Sequence, residues 1–473
     1  MSTLVKNTFK LLSGSLFAQI ISVVTIPIIT RLFGAEEFGV FAIILAISMI
    51  LVPLFLLGMH LAILIPKDEV EALKLVVLGI VFSLIAFVYT CIICHFFYKE
   101  IAVLFNIKAS YLMIMTLPLL TISQAILILA SYWGVRNNKV TAVSYGKIGE
   151  SLSDRGFSIM LGCYGYTTSI ILILTKSVSG FLSSFFIFKK TPLLSSKSNL
   201  SNKSLCEAIP VYKNYIIYNT SSSLLMTVGL QVPVILIGSL FGPLFAGFFA
   251  MANRLVNIPV QALGGALSKT ITKHIASEWH RDKEVAKISI VNMYNNLFSL
   301  LLLPFLLISL IGEPIIVFVL GDEWTESGNI VQILSLLSFT NLLVQALGGV
   351  FDITNKQQMR LIYHSLNSIC RILSVVVPYY YGFEFKNMII IYSVVASIMN
   401  FIALLLVFYC SECKFTTVFG DFKLIIVSVL YLSFMIIVKG LMSLELYVFT
   451  SCLIAMLLFY LFSFEKLKLM RNY

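Results

Sequence analysis

The chain has 473 residues, of which 59% are apolar and only 12% charged. Soluble domains carry about 25% charged residues, so half that density cannot coat a globule of this size, and the apolar surface must face lipid. A net charge of +11 would suggest nucleic acid in a soluble protein, but membrane proteins gather Lys and Arg on their cytoplasmic loops as an orientation signal.

About fourteen apolar segments, each long enough to cross a bilayer as a helix, lie near 9–30, 38–61, 75–97, 111–133, 147–164, 168–188, 214–239, 243–266, 291–311, 329–350, 361–381, 387–409, 424–439 and 443–463. No alternating pattern of strand length argues for a barrel, so the fold class is all-α integral membrane. Lys6 and Lys10 resemble the start of a secretion signal, but the apolar stretch runs on to Ile29 with no small-x-small cleavage site, and the first segment is expected to remain a span. One alternate set of loops, with both termini, holds 24 of the 33 Lys and Arg; the opposite set holds Arg31, Lys99, Lys108, Lys386 and Lys439. This imbalance predicts that both termini are cytoplasmic and removes nucleic acid as a partner.

Two strings resemble each other: LFGAEEFGVFA from Leu32 and LFGPLFAGFFA from Leu240, 208 residues apart, with Pro27 and Pro233 upstream. Composition bias alone can produce such a match, but both copies form the extracytoplasmic turn of a hairpin, between segments one and two and between seven and eight. An offset of six segments restores orientation. The chain therefore reads as two parallel six-helix lobes, 1–190 and 214–409. A basic, Ser-rich cytoplasmic linker at 191–213 joins them, and two additional spans follow in 410–473. Such repeats place a substrate site at their interface near the bilayer midplane.

Several charges sit inside the segments: Glu150, Asp154 and Arg155 in the fifth, Lys176 in the sixth, Arg254 in the eighth and Arg371 in the eleventh. Each base costs roughly 2.5–3.5 kcal/mol at a helix centre. Arg254, Asn257 and Gln261 recur at i, i+3 and i+7, a polar stripe on one helix face; Ser15, Gln19 and Ser22 make an uncharged counterpart on the first helix. Glu150 and Asp154, at i and i+4, share a face with Lys147. The alternative places Asp154 and Arg155 at a cytoplasmic helix end. For Lys176, Arg254 and Arg371 the alternative is salt-bridge glue between helices. No acid lies near those three in sequence, which favours a cavity wall for an anionic, phosphorylated solute. Asp154, or second Glu150, is the candidate site for a coupling proton or sodium ion. Arg31, at a segment end, reads first as an interfacial anchor.

Other motifs dissolve on inspection. CIICH at Cys91–His95 fits a c-type haem pattern but lies inside an apolar helix. The pairs in CIICH and in CSEC at Cys410–Cys413 fall on opposite membrane sides, which forbids a shared zinc. No G-x-x-x-x-G-K-[ST] motor, no defensible catalytic triad, no metal site and no cofactor motif is present. The stretch SKTITKHIASEWHRDKEVAKIS has apolar residues at helical spacing and reads as an amphipathic helix on the inner membrane surface or a solvated connector.

SLFAQIISVVTIPIITRLFGAEEFGVFAI, then LAILIPKDEVEA, and in the second half MANRLVNIPVQALGGALSK and GDEWTESG, resemble the Wzx-type O-antigen flippases of the polysaccharide biosynthesis family. The likeness covers most of the chain, is most specific over its first 75 residues or so, and is weaker from Gly149 to Lys190. It implies two lobes facing each other in a V, like multidrug extruders and lipid II flippases of the same exporter superfamily. The implied partners are an undecaprenyl-diphosphate-linked oligosaccharide, the bilayer of the bacterial inner membrane, a coupling ion and other polysaccharide assembly proteins. The implied activity is flipping of that lipid-linked unit by rocking between inward- and outward-open states, which is transport and not enzymology. The diphosphate would be the anion met by Lys176, Arg254 and Arg371, with Arg155 and Arg31 as further cations and Gln19, Asn257 and Gln261 as polar lining. Arg31 matches the family motif in TRLFG. A multidrug or cation antiporter of the same fold would need an acidic cavity. A membrane glycan polymerase or ligase would need a long outer loop, and the longest here, near 312–328, is short and lacks His.

Overall fold

The computed structural model describes residues 3–66, 68–108, 110–191, 210–213, 216–217, 220–413, 427, 430–431, 433–435 and 444–470. Among these the regular elements are all helices, as a lipid environment demands, because helices satisfy their backbone groups internally. In chain order they are α1 (Thr3–Leu56), α2 (Met59–Ala62), α3 (Glu69–Phe96), α4 (Tyr98–Leu104), α5 (Tyr111–Arg136), α6 (Val140–Cys163), α7 (Ser169–Lys190), α8 (Thr220–Phe241), α9 (Pro243–Arg281), α10 (Lys283–Leu320), α11 (Thr325–Leu347), α12 (Val350–Ile353), α13 (Gln357–Tyr380), α14 (Phe385–Cys410) and α15 (Leu444–Met470). They form two compact units, residues 1–247 and 248–473. Nine helical stretches among the described residues are long and apolar enough to cross a membrane. The proposed linker 191–213 and the thirteenth segment near 424–439 fall largely outside the described residues.

The repeated LFG strings become the same local structure twice. Gly34 breaks α1 with φ 63° and ψ 167°, so 3–33 and 35–56 are two helices. Gly242 separates α8 from α9 with φ 99°. Both angles lie in the left-handed half of backbone space that glycine enters at least cost. The second glycine of each string has a different task. A Cβ on Gly39 would overlap the carbonyl oxygen of Pro243, and a Cβ on Gly247 would overlap that of Ala35. These positions correspond under the 208-residue offset, so the two hairpins cross reciprocally, backbone to backbone. Lipid tails are as apolar as Leu, so such close approach of small residues is what holds membrane helices together. Glu37, in the first string, accepts a hydrogen bond from Ser169 N at 2.6 Å and so caps the positive N-terminal end of α7.

In the first unit, one core is built from Phe55, Leu56, Met59, Ala72, Leu75, Val76, Leu129 and Trp133. Trp133 Nε1 donates to Thr191 O at 3.0 Å, and Arg136 donates to the carbonyls of Ile63 and Asp68, tying the loop after α2 to the end of α5. The inner faces of α5, α6 and α7 are small and polar: Ser123 Oγ donates to Ser177 O at 2.7 Å, and Ser183 Oγ to Gly146 O at 2.8 Å. In the second unit, α10 and α11 pair along their lengths, and aromatic rings interlock, Tyr294 on Phe408 and Phe298 on Phe339.

Two loop expectations change. The amphipathic stretch after segment eight is not one separate helix. Its first part continues α9 to Arg281, with Ile271 and Ile275 buried and Lys269, Lys273 and Arg281 exposed. Asp282 then breaks it and caps α10, its Oδ1 accepting from Glu284 N at 2.8 Å, a preferred N-cap role for Asp. The stretch 312–328, expected as an outer loop, is mostly structured. Helix α10 runs to Leu320, Gly321 turns with φ 102°, and a 3₁₀ turn (Asp322–Trp324) leads into α11, with Trp324 buried against Phe248.

The glycine crossing generates a test. Gly39→Ala and Gly247→Ala each lower stability by about 1–3 kcal/mol, as overpacking does, read as a fall in the thermal unfolding midpoint of the detergent-purified protein. Gly156→Ala, where a Cβ meets nothing, leaves the midpoint unchanged or raises it, since Ala is the better helix former. Equal behaviour of all three variants contradicts the crossing.

Candidate functional site

Helix α6 is 24 residues long, enough to cross a bilayer, yet it carries Lys147, Glu150, Asp154 and Arg155. Asp154 and Arg155 lie well inside it, at 4% and 8% exposure, and not at a helix end. The i, i+4 spacing turns Glu150 and Asp154 toward α7. Lys176 Nζ on α7 sits 2.6 Å from Glu150 Oε1 and 3.9 Å from Asp154 Oδ2, while Arg155 lies 3.6 Å from Asp154 Oδ2. Arg155 Nε is buried with no acceptor among the described residues. Around this cluster, Ser158 and Thr175 hydroxyls meet at 2.8 Å. Lys147 Nζ reaches Ser15 Oγ at 3.3 Å, and Ser151 Oγ donates to Ala18 O on α1 at 2.9 Å. The ion-paired cluster of Glu150, Asp154, Arg155 and Lys176 contains two bases and two acids and carries no net charge.

This corrects one premise. No acid is near Lys176 in sequence, but in space Glu150 is its direct partner, because α6 and α7 pack side by side. A buried ion pair is the way a membrane helix tolerates both charges at once.

The second unit treats its buried base differently. Arg371, on α13, is 7% exposed and makes no ion pair among the described residues. Its Nε donates to Asn367 Oδ1 at 3.1 Å, and its Nη2 makes a longer contact of 3.4 Å to Asn341 Oδ1 on α11. Asn400 on α14 donates to Asn341 Oδ1 at 2.7 Å and to Thr340 Oγ1 at 3.0 Å. Tyr363 OH donates to Asn400 Oδ1 at 2.9 Å and receives Asn367 Nδ2 at 3.3 Å. Helix α13 is thus inverted: Ile362, Leu366, Ile369, Leu373 and Val377 are exposed, while Tyr363, Arg371 and Ser374 are buried. Exposed apolar residues on such a helix suit lipid, and the polar face turns inward.

The remaining candidates stand apart from these two clusters. Arg254 is half-buried on α9, and Asn257 Nδ2 donates to Asn253 O at 2.7 Å and to Asn253 Oδ1 at 2.8 Å. Gln261 is exposed, Gln19 half-buried on α1, and Arg31 exposed just before the Gly34 turn. Among the described residues no group of three or more His, Cys, Asp or Glu could hold a metal ion. Sequence reading missed Asn341, Asn367, Asn400 and Tyr363. Tyr363, Asn367 and Arg371 repeat every fourth residue, the same stripe signal noticed around Arg254, so Tyr363 and Asn367 were accessible to it. Asn341 and Asn400 join the set only through packing of α11 and α14.

The architecture is that of multi-pass membrane transporters and flippases. It resembles the lipid II flippase MurJ in an inward closed conformation, with 14% identity, a TM-score of 0.73, and coverage of 95% of this chain and 97% of that one. It also resembles the multidrug transporter DinF-BH (14% identity, TM-score 0.59, 87% and 97% covered) and the Vibrio cholerae transporter VcmN in its bent form (13%, 0.51, 86% and 97%). At such identities the likeness establishes the fold. The chain belongs to the polysaccharide biosynthesis protein family, whose pattern it matches over residues 28–329. No curated protein matches it.

The four-charge cluster makes its own prediction. Glu150→Gln or Lys176→Met alone strands a mostly buried charge and destabilises the protein by about 2–4 kcal/mol. The double variant loses less than the sum of the two singles by about 1–3 kcal/mol. A double-mutant cycle on thermal midpoints measures it; simple additivity rules the pair out.

Proposed function

We propose that this protein is a flippase that carries undecaprenyl-diphosphate-linked repeat units of O-antigen type across the bacterial inner membrane. It works by ion-coupled alternating access with both termini in the cytoplasm. The observation that carries the reading is Arg371, a buried cation among neutral amides. Insertion of such a charge costs roughly 2.5–3.5 kcal/mol, and a guanidinium is suited to bidentate binding of phosphate oxygens. Membership of the polysaccharide biosynthesis family supports a glycan as cargo. The fold is shared with a protein described as a lipid II flippase, which supports a lipid-linked one. Arg254 is the second cation assigned to the headgroup. Arg155 and Arg31 serve as accessory cations and Gln19, Asn257 and Gln261 as polar lining. Lys176 holds Glu150 and Asp154 in place at the coupling site. Asp154 is the group assigned to the coupling proton or sodium ion, with Glu150 the lesser candidate. The halves 1–190 and 214–409, with the two extra spans of 410–473, act as the two repeats, a reading supported by the matching glycine turns.

The cation-antiporter alternative is disfavoured because Glu150 and Asp154 are matched by Lys176 and Arg155. The polymerase alternative is disfavoured because 312–328, the stretch in which it would need a long loop, is largely helical.

In a cell depending on this gene for its surface glycan, Arg371→Ala and Arg254→Ala lower export about 10–100-fold, as expected for losing a charged hydrogen-bond partner worth about 1.5–3 kcal/mol. Membrane levels of the protein stay normal, and lipid-linked units accumulate on the cytoplasmic side. Normal export from both variants defeats the reading. Separately, Asp154→Asn abolishes the dependence of transport on pH or sodium; full-rate transport with that dependence intact removes Asp154 from the coupling site.

A further inference from the structure

Helices α6 and α13 occupy matching places in the order of elements, and each is 24 residues long. Each is followed by a left-handed glycine, Gly165 with φ 90° and Gly382 with φ 73°. Each has one buried arginine at nearly the same height: Arg155 is eight residues before Cys163, Arg371 nine before Tyr380. Their exposures are 8% and 7%. What differs is the company they keep. Arg155 has Asp154 beside it, inside a cluster of zero net charge. Arg371 has amide oxygens, which accept N–H groups but bring no charge.

We propose that Asn341, supported by Asn367 and Asn400, is a positioning residue that holds the Arg371 guanidinium still without neutralising it and so keeps it ready for a diphosphate. The assignment rests on the reading of Arg371 as the headgroup contact. The orientation of the Asn341 amide is imposed from behind. Tyr363 OH donates to Asn400 Oδ1, so Asn400 must present Nδ2 to Asn341, and Asn341 must present Oδ1 to both Asn400 and Arg371. Of the five guanidinium N–H groups, one on Nε and one on Nη2 are taken. The other three have no acceptor among the described residues. A carboxylate at position 341 would satisfy the arginine completely, as Asp154 begins to do for Arg155. An amide of the same shape leaves both the charge and the spare donors for an oxyanion.

Asn341→Asp separates charge from shape. It preserves both accepted bonds and adds one negative charge beside Arg371. The purified variant unfolds at or above the wild-type midpoint. Inorganic pyrophosphate is expected to raise the wild-type midpoint, failure to do so overturning the proposal, and to bind the variant at least 10-fold more weakly, and glycan export falls at least 10-fold, about 1.4 kcal/mol at the standard conversion. Asn341→Ala, which loosens the guanidinium but keeps its charge, loses less of both. If Asn341→Asp fails to insert, Asn367→Asp delivers the same charge to Nε and replaces it in each comparison. Equal losses in the Asp and Ala variants reduce Asn341 to packing and overturn the proposal, as does wild-type pyrophosphate binding in Asn341→Asp. If Arg371→Ala abolishes export and pyrophosphate binding while Asn341→Asp retains both, only the role of Asn341 falls. If Arg371→Ala also retains both, the headgroup contact itself is lost.

Discussion

A charge inside a membrane helix has no water to turn to, so each buried base here must be answered by the protein or by a ligand. That constraint organises both units. In the first, Lys176 meets Glu150 and Asp154 across the α6–α7 contact while Arg155 lies beside Asp154 on α6 itself, and Ser, Thr and Gly line the facing helix surfaces nearby. In the second, Arg371 meets Asn367 and Asn341. A carboxylate answers both the hydrogen-bonding and the charge of a guanidinium, and an amide answers only the first. The two arrangements thus differ in their balance of charge: acids and bases equal in number in one, an arginine with no acid among the described residues in the other.

The close helix packing needed for such contacts depends on glycine in two distinct ways. Gly34 and Gly242 supply backbone angles that reverse the chain. Gly39 and Gly247 supply the absence of a side chain where the two hairpins cross. Each LFG string contains one glycine of each kind at the same spacing, which explains why the string recurs at all. It encodes a turn and a crossing together, and the two copies are each other's partners.

The chain belongs to a polysaccharide biosynthesis family and shares its fold with a lipid II flippase and a multidrug transporter, which leaves its cargo open. In the proposed reading the cargo follows from the sign of the charge left over for a ligand. A cation as cargo would call for an acidic cavity, whereas the carboxylates of α6 are matched by an equal number of bases. A guanidinium set among amides favours an anion, and one with spare donors on a rigid fork favours a phosphate group.

The membrane class, the helical spans and the paired LFG turns were legible in the sequence, because they rest on local quantities: apolar run length and glycine next to an apolar hairpin. Arg155, Lys176 and Arg371 were also visible, since a base in an apolar run is costly wherever it points. Their partners on other helices were not. Glu150 and Lys176 are 26 residues apart, Asn341 and Arg371 are 30, and no periodicity along one helix reveals which face of another it will meet. The sequence by itself therefore determined that these charges had to be accommodated. Only the packing of α6 on α7, and of α13 with α11 and α14, decided that one set would be neutralised by carboxylates and the other merely held by amides.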